Sequence, residues 1–235
     1  MTKDRFPVKD SKILNRILTD TEALLIDFDG PVCSVFSGIS AESIAENLRN
    51  LLTSLGPGPI PQLVQETRDP FEVFKYASKI STRLANRIEE ALRHLEFQAV
   101  DTASSTKFAR EVMTSWHSTD RPLAIASNNS YAAIVKYLDM HQLIDLVDCV
   151  SARTTAQYAN LKPSPYLLNR AASLIGTDVR SCALIGDSPS DILAAQAAGM
   201  PAIAYANKPN KRHKLSALQP YYTIESMSEI LHALQ

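Results

Sequence analysis

The chain has 235 residues, 45% of them hydrophobic and 21% charged, with a formal net charge of −1. That length suits one large α/β domain, or a core with a smaller insert, and the near-neutral balance gives no electrostatic reason to expect nucleic acid or a membrane surface as partner. The three cysteines, Cys33, Cys149 and Cys182, are widely spaced and form no CxxC pair, which argues against a zinc site or a disulfide framework.

The first twenty residues are charged and mixed and lack the apolar core of a signal peptide. No apolar run further on is long enough to cross a bilayer, so the expectation is a cytoplasmic protein with reduced cysteines. The first strand signal is Ala23–Ile26, a compact apolar run that ends in Asp27-Phe28-Asp29-Gly30. Residues 37–100 show no strand pattern; Ala41–Leu55 and Ser81–Phe97 read as helices, punctuated by glycines and prolines at 56–61 and by Asp69-Pro70. Trp116 falls in a further helical stretch and reads as a packing residue. Leu123–Ala126 then ends in Ser127-Asn128-Asn129-Ser130, and Tyr131–Met140 has apolar residues at helical spacing. Leu146–Val150, Cys182–Ile185 and Ala202–Tyr205 are three more short apolar runs, with helices expected over Pro163–Ile175 and Asp191–Ala198, the latter stopped by Gly199. Short apolar runs bounded by turn residues and separated by helices predict a doubly wound parallel sheet, with residues 37–100 as a helical insert after the first strand. The domain boundaries expected are a core of residues 1–36 and 101–235 and a cap of residues 37–100.

Four polar clusters fall at the ends of predicted strands, where open α/β sheets bind ligands. Asp27 and Asp29, two residues apart on extended chain, share a side and can divide the work of nucleophile and acid/base. The pair alone also reads as a turn with two solvated acids. Ser127 and Asn128 can donate hydrogen bonds to phosphate oxygens, or serve as a helix cap. Lys162, before Pro163, is either a compact positive charge for a phosphoryl group or a surface lysine. In Gly186-Asp187-Ser188-Pro189-Ser190-Asp191 an apolar strand runs into an acid and a second acid opens a helix. Hard divalent cations such as magnesium take carboxylate ligands, and an acid ending an apolar strand is costly unless paired or metal-bound.

Taken together, these motifs resemble the haloacid dehalogenase superfamily, in its phosphoglycolate-phosphatase-like branch, from about Thr21 onward. Asp-Phe-Asp-Gly, Ser-Asn, Lys-Pro and Gly-Asp-Ser-x-x-Asp stand in that family's order. The resemblance implies an α/β Rossmann-like core with a helical cap inserted after the first strand, and a Mg2+-dependent phosphomonoesterase acting on a small phosphate ester. It implies that Asp27 is the nucleophile that becomes an aspartyl-phosphate, and that Asp29 protonates the leaving group and then activates water. Ser127, Asn128 and Lys162 would form the phosphate site; Asp27, the carbonyl of Asp29, and Asp187 would hold Mg2+. Asp191, Gly30 and Ser188 would support these groups, with Asp191 orienting Lys162. Where the family commonly has threonine after the glycine this chain has Pro31, which removes a backbone donor and puts the local loop bonding in question.

A sugar phosphomutase of the same superfamily would share every motif, and a sugar 1,6-bisphosphate requirement would separate it. A catalytically inactive binding module is the reading from a different class. Dehalogenases lack the second aspartate, and a phosphonate-cleaving enzyme would need a cap lysine, for which Lys75 and Lys79 are not distinguished. Arg49, Arg68, Lys75 and Arg83 are cap cations that either grip a second anionic group or remain solvated. The basic run Lys208–Lys214 reads as a solvated loop, with attraction of anionic substrates as the other reading. The five histidines form no HxxxH arrangement and receive no zinc role.

Overall fold

The apolar runs assemble into one parallel sheet. The computed structural model describes residues 11–56 and 58–234. In chain order their elements are α1 (Ser11–Asp20), β1 (Ala23–Ile26), β2 (Cys33–Ser34), α2 (Ala41–Ser54), α3 (Gln62–Glu66), α4 (Pro70–Ile80), α5 (Thr82–Ala99), β3 (Ser104–Ser105), α6 (Ala109–His117), β4 (Leu123–Ser130), α7 (Tyr131–Met140), β5 (Cys149–Arg153), α8 (Tyr166–Leu174), β6 (Cys182–Gly186), α9 (Pro189–Ala198), β7 (Ala202–Tyr205), α10 (Pro209–Ser216), β8 (Tyr222–Ile224) and α11 (Ser228–Leu234).

The main sheet has the order β5-β4-β1-β6-β7-β8, all parallel. β1 lies inside it, with Leu25 opposite both Ala124 and Leu184. Leu24 and Ile26 pack into the core on one face and Ala23 and Leu25 into the core on the other, so every position of the strand is buried and the run is continuously apolar. Cys33–Ser34 pairs antiparallel with Ser104–Ser105, a short two-stranded ribbon on either side of the helical insert.

The insert consists of α2 to α5. Ser40 caps α2, accepting from Ser43 N at 3.1 Å, and Ser81 caps α5, accepting from Leu84 N at 3.2 Å. Ile44, Leu48 and Leu52 of α2 and Leu84, Ile88 and Leu92 of α5 recur at fourfold spacing and are buried, which gives the insert its own apolar seam. Asp69-Pro70, expected as a break, is the start of α4: Asp69 accepts from Phe71 N at 2.8 Å and Pro70 occupies the first turn.

Several expectations need correction. The strand expected over Leu146–Val150 is displaced, because Ile144–Leu146 closes a 3₁₀ turn and β5 starts only at Cys149. The helix expected from Pro163 begins at Tyr166. The basic run is not a loop: Pro209–Ser216 is helical, with proline in its first turn. α1, β8 and α11 had no counterpart in the reading of the sequence. The loop after β1 keeps its hydrogen bonds despite Pro31. Gly30 N donates to Cys33 O, Val32 N to Phe28 O, and Thr106 Oγ1 to Gly30 O. Trp116 lies buried in α6 and donates to Pro122 O at 2.9 Å. All three cysteines are free. No helix of the described residues is long and apolar enough to cross a membrane.

Candidate active site

Parallel strands deliver their carboxyl ends to one edge, and three of the four polar clusters lie there. Asp27 follows β1, Ser127 lies in the second half of β4, and Asp187 follows β6. Lys162 arrives from the chain between β5 and α8. These residues line one cavity of about 450 Å³, together with Asp29, Asn128, Ser188 and Asp191. Its opposite wall comes from the insert and includes Arg68, Phe71 and Lys75.

Lys162 is the hub. Its side chain is 2% exposed, and its ammonium donates to Asp191 Oδ1 at 2.5 Å and to Ala126 O at 2.9 Å, and stands 2.8 Å from Asp27 Oδ1. Burial alone would lower the lysine pKa, but Asp191 and Asp27 beside it raise it, so it stays charged. Asp191 is held in turn: its Oδ2 accepts from Asp187 N, Ser188 N and Ser188 Oγ at 3.1, 3.0 and 2.6 Å. The second of these, with the Asp191 N–H donating back to Ser188 Oγ at 3.3 Å, makes the capping box that starts α9. The same serine–aspartate pair thus begins a helix and aims a lysine.

Asp27 is buried, and its Oδ1 receives no properly aligned hydrogen bond although Lys162 is close. Burial first, then the charges of Asp191 and Asp187, push its carboxyl up to about 7 against the pull of Lys162. Burial likewise raises Asp29 to about 6, opposed by the Val35 N–H that donates to its Oδ1 at 2.9 Å. Asp187 rises to about 6 by burial, opposed by Lys211. Carboxylates from Asp27, Asp187 and Asp191 lie within 4.8 Å of one another. Buried, like-charged acids with an unbonded oxygen are what a hard divalent cation relieves. Both oxygens of Asp191 are already taken, so Asp27 and Asp187 are the carboxylates with capacity to ligate. Gly30 allows this approach. Its φ is +110°, and a Cβ there would stand 2.2 Å from Asp187 Oδ2.

Ser127 is buried; its Oγ donates to Asn129 Oδ1 at 3.2 Å. Asn128 uses its whole carboxamide on the main chain of Lys162: Nδ2 donates to Lys162 O at 3.1 Å and Oδ1 accepts from Lys162 N at 2.8 Å. Its position is therefore that of a clamp between two site loops. Of Arg49, Arg68, Lys75 and Arg83, Arg68 and Lys75 line the cavity and are paired with Glu42 and Glu72 at 3.4 and 3.0 Å. Arg49 donates to Thr67 O, and Arg83 lines a separate surface hollow.

Two sets of residues escaped the sequence reading. Lys211 of α10 pairs with Asp187, so the basic run does supply a site residue. Arg153 pairs with Glu89 and Glu96 of α5 behind Asn128 and Asn129. Only the spacing of Glu89 and Glu96, two helical turns apart in register with the apolar seam of Ile88 and Leu92, hinted at the second.

The chain is similar to known proteins in sequence and in fold. Residues 25–205 match the model of a family described as haloacid dehalogenase-like hydrolase. A phosphoglycolate phosphatase of Neisseria meningitidis is 25% identical over 239 residues, covering 94% of this chain and 97% of that one. Among solved structures, a hydrolase from Pseudomonas syringae superposes with a TM-score of 0.68 at 18% identity, covering 91% of this chain and 98% of that one. A β-phosphoglucomutase from Clostridium difficile superposes with a TM-score of 0.65 at 16% identity, covering 91% and 97%. At these identities the two structures show a shared fold and nothing finer.

Proposed function

The chain belongs to the haloacid dehalogenase-like hydrolase family, and from that premise we propose that it is a phosphoric monoester hydrolase in which Asp27 attacks the phosphorus of a small phosphorylated metabolite. The observation that carries this reading is the convergence of Asp27, Asp29, Ser127, Lys162 and Asp187 on one cavity at the carboxyl edge of the sheet. The Neisseria relative's name supports the reaction class and puts phosphoglycolate first among substrates to try.

In this reading the Asp27 carboxylate forms a bond to phosphorus as the ester oxygen leaves. With Lys162 at 2.8 Å already pulling it down, its pKa near 7 leaves the carboxylate only partly ionised at neutral pH, so added positive charge beside it raises the fraction able to attack. Asp29, raised to about 6 by burial, gives the leaving oxygen its proton from the protonated fraction it keeps near neutral pH. It then takes a proton from the water that splits the acyl phosphate, returning Asp27 to its starting state. Ser127 and the Lys162 ammonium bind the phosphoryl oxygens, one of which takes the place Asp27 Oδ1 occupies beside Nζ. Mg2+ held by Asp27, Asp187 and the carbonyl of Asp29 would supply positive charge against the phosphoryl group and lessen its repulsion from Asp27. Asp191 and Asn128 keep Lys162 in place. Residues 37–100 act as a cap that covers the cavity, excludes water and presents Arg68, Phe71 and Lys75 to the leaving group.

A panel of phosphate metabolites with Mg2+, containing phosphoglycolate, sugar phosphates and an aryl phosphate, tests this. At least one ester is hydrolysed, activity disappears in chelator and returns with Mg2+, and Asp27→Asn lowers turnover by at least about a thousandfold. Wild-type turnover in Asp27→Asn, or full activity in chelator, overturns the reading.

A further inference from the structure

Three buried charges lie outside the chemistry just described. Arg153 ends β5, and its guanidinium leaves the sheet to enter the insert, its side chain fully buried. Nη1 lies 2.5 Å from Glu89 Oε1, and Nη2 pairs with Glu96 Oε2; both glutamates belong to α5. Phe71 and Phe74 of α4 place their rings 6.0 and 5.8 Å from the guanidinium. Nε donates to the main-chain oxygen of Asn128 at 3.1 Å. Glu96, also fully buried, spends both oxygens on the same loop: Oε1 accepts from Asn129 Nδ2 at 3.1 Å and Oε2 from Ser130 N at 3.0 Å.

An unbroken series of hydrogen bonds therefore runs from the insert to the site: Glu96 to Asn129 Nδ2, and Asn129 Oδ1 to Ser127 Oγ. The anionic Glu96 requires the amide of Asn129 to turn its NH₂ toward α5, which leaves the amide oxygen facing the serine hydroxyl. A buried ion pair is weak evidence for stability, since apolar residues of the same volume serve as well or better. Its placement, with both oxygens of Glu96 bonded to the segment after Ser127, is what needs a reason.

We propose that Glu96, held by Arg153, is a positioning residue that fixes the phosphoryl-binding loop 127–130 to helix α5 and so links the placement of the insert to the position of Ser127 Oγ, whose one proton lies on Asn129 in this structure and turns to a phosphoryl oxygen when phosphate binds. This rests on the reading that Ser127 binds a phosphoryl group. A shift of α5 moves Glu96, and with it Asn129 and Ser127, so the phosphate site is complete only when the insert is seated.

The test measures binding of inorganic phosphate by calorimetry with Mg2+ present, alongside thermal unfolding. Glu96→Gln keeps the shape and removes the charge; Asn129→Ala cuts the series while leaving the Glu96–Arg153 pair intact, and serves if the first variant folds poorly. Each weakens phosphate about tenfold, the scale of one hydrogen bond to a charged group. Leu92→Ala, in the same helix, lowers the melting temperature but keeps phosphate affinity within about twofold of wild type. Ser127→Ala, as reference, weakens phosphate at least as much as Glu96→Gln. Unchanged affinity in Asn129→Ala and Glu96→Gln, or equal weakening in Leu92→Ala, overturns the coupling while Ser127→Ala still reports on the phosphate site. Unchanged affinity in Ser127→Ala overturns the coupling and the phosphatase reading of Ser127 together.

Discussion

Asp191→Asn is the substitution whose consequences the structure defines most closely. The aspartate is fully buried and accepts four hydrogen bonds, from Lys162 Nζ, Asp187 N, Ser188 N and Ser188 Oγ. Asparagine has the same shape but only one accepting oxygen. With that oxygen toward Lys162, its NH₂ faces three donors; flipped, the NH₂ faces an ammonium. Either way a buried donor meets a donor, and Lys162 loses a charged partner 2.5 Å away. Breaking a buried pair by removing one partner costs about 3–5 kcal/mol. At roughly 2–4 °C per kcal/mol for a chain of this size, the melting temperature falls by about 6–20 °C. Lys162 also loses its aim, and misplacement of a positioning group by about 1 Å costs on the order of a hundredfold in rate. The assay is scanning calorimetry on the metal-free protein, followed by kcat/KM for an aryl phosphate well below the new melting temperature. A variant melting within about 2 °C of wild type with undiminished kcat/KM refutes the claim that Asp191 holds the lysine.

Gly30→Ala places a methyl 2.2 Å from Asp187 Oδ2 on a backbone at φ +110°, so the variant binds divalent cation at least about tenfold more weakly, read by titrating activity with Mg2+. Wild-type cation affinity in that variant contradicts the assignment of Asp187. In chelator, stability follows the raised carboxyls: Asp27 near 7 and Asp29 and Asp187 near 6 when folded, against 3.8 as the ordinary value. The folded protein then holds more protons than the unfolded chain between about pH 4 and 7, so its stability is greatest at the acid end and is lost as pH rises through 6–7. The metal-free melting temperature is higher at pH 5.5 than at pH 8, and saturating Mg2+ flattens the difference; a slope of opposite sign in chelator counts against the burial of these acids.

What the sequence makes legible follows from burial. Ala23–Ile26 and Ala202–Tyr205 occupy the residues expected of them because strands buried on both faces are apolar at every position and stop where polar residues begin. Asp27, Ser127 and Asp187 are readable for the same reason, since each interrupts such a run. Elements with mixed composition are harder. Tyr222–Ile224 is a half-exposed edge strand with threonine at its centre. The helix over Pro209–Ser216 is almost wholly polar, with Leu215 its buried anchor, so its charge run carried no period and Lys211 went unnoticed. Asp69-Pro70 signals both a break and a helix start, and only the neighbouring apolar positions Val73, Phe74 and Ala77 decide for the helix. The pairing of Arg153 with Glu89 and Glu96 is hard to read, beyond the hint in the glutamates' spacing, because charged residues are ordinarily exposed and these partners come from chain segments 57 and 64 residues away.

The central claim is that the Asp27 carboxylate becomes covalently phosphorylated. Quenching the enzyme during turnover of a good substrate with sodium borohydride reduces an aspartyl-phosphate to homoserine, which peptide mass mapping locates. Homoserine at position 27, dependent on both substrate and Mg2+, is the expected result. Homoserine at another acidic residue, or none at any position while substrate is being consumed, contradicts it.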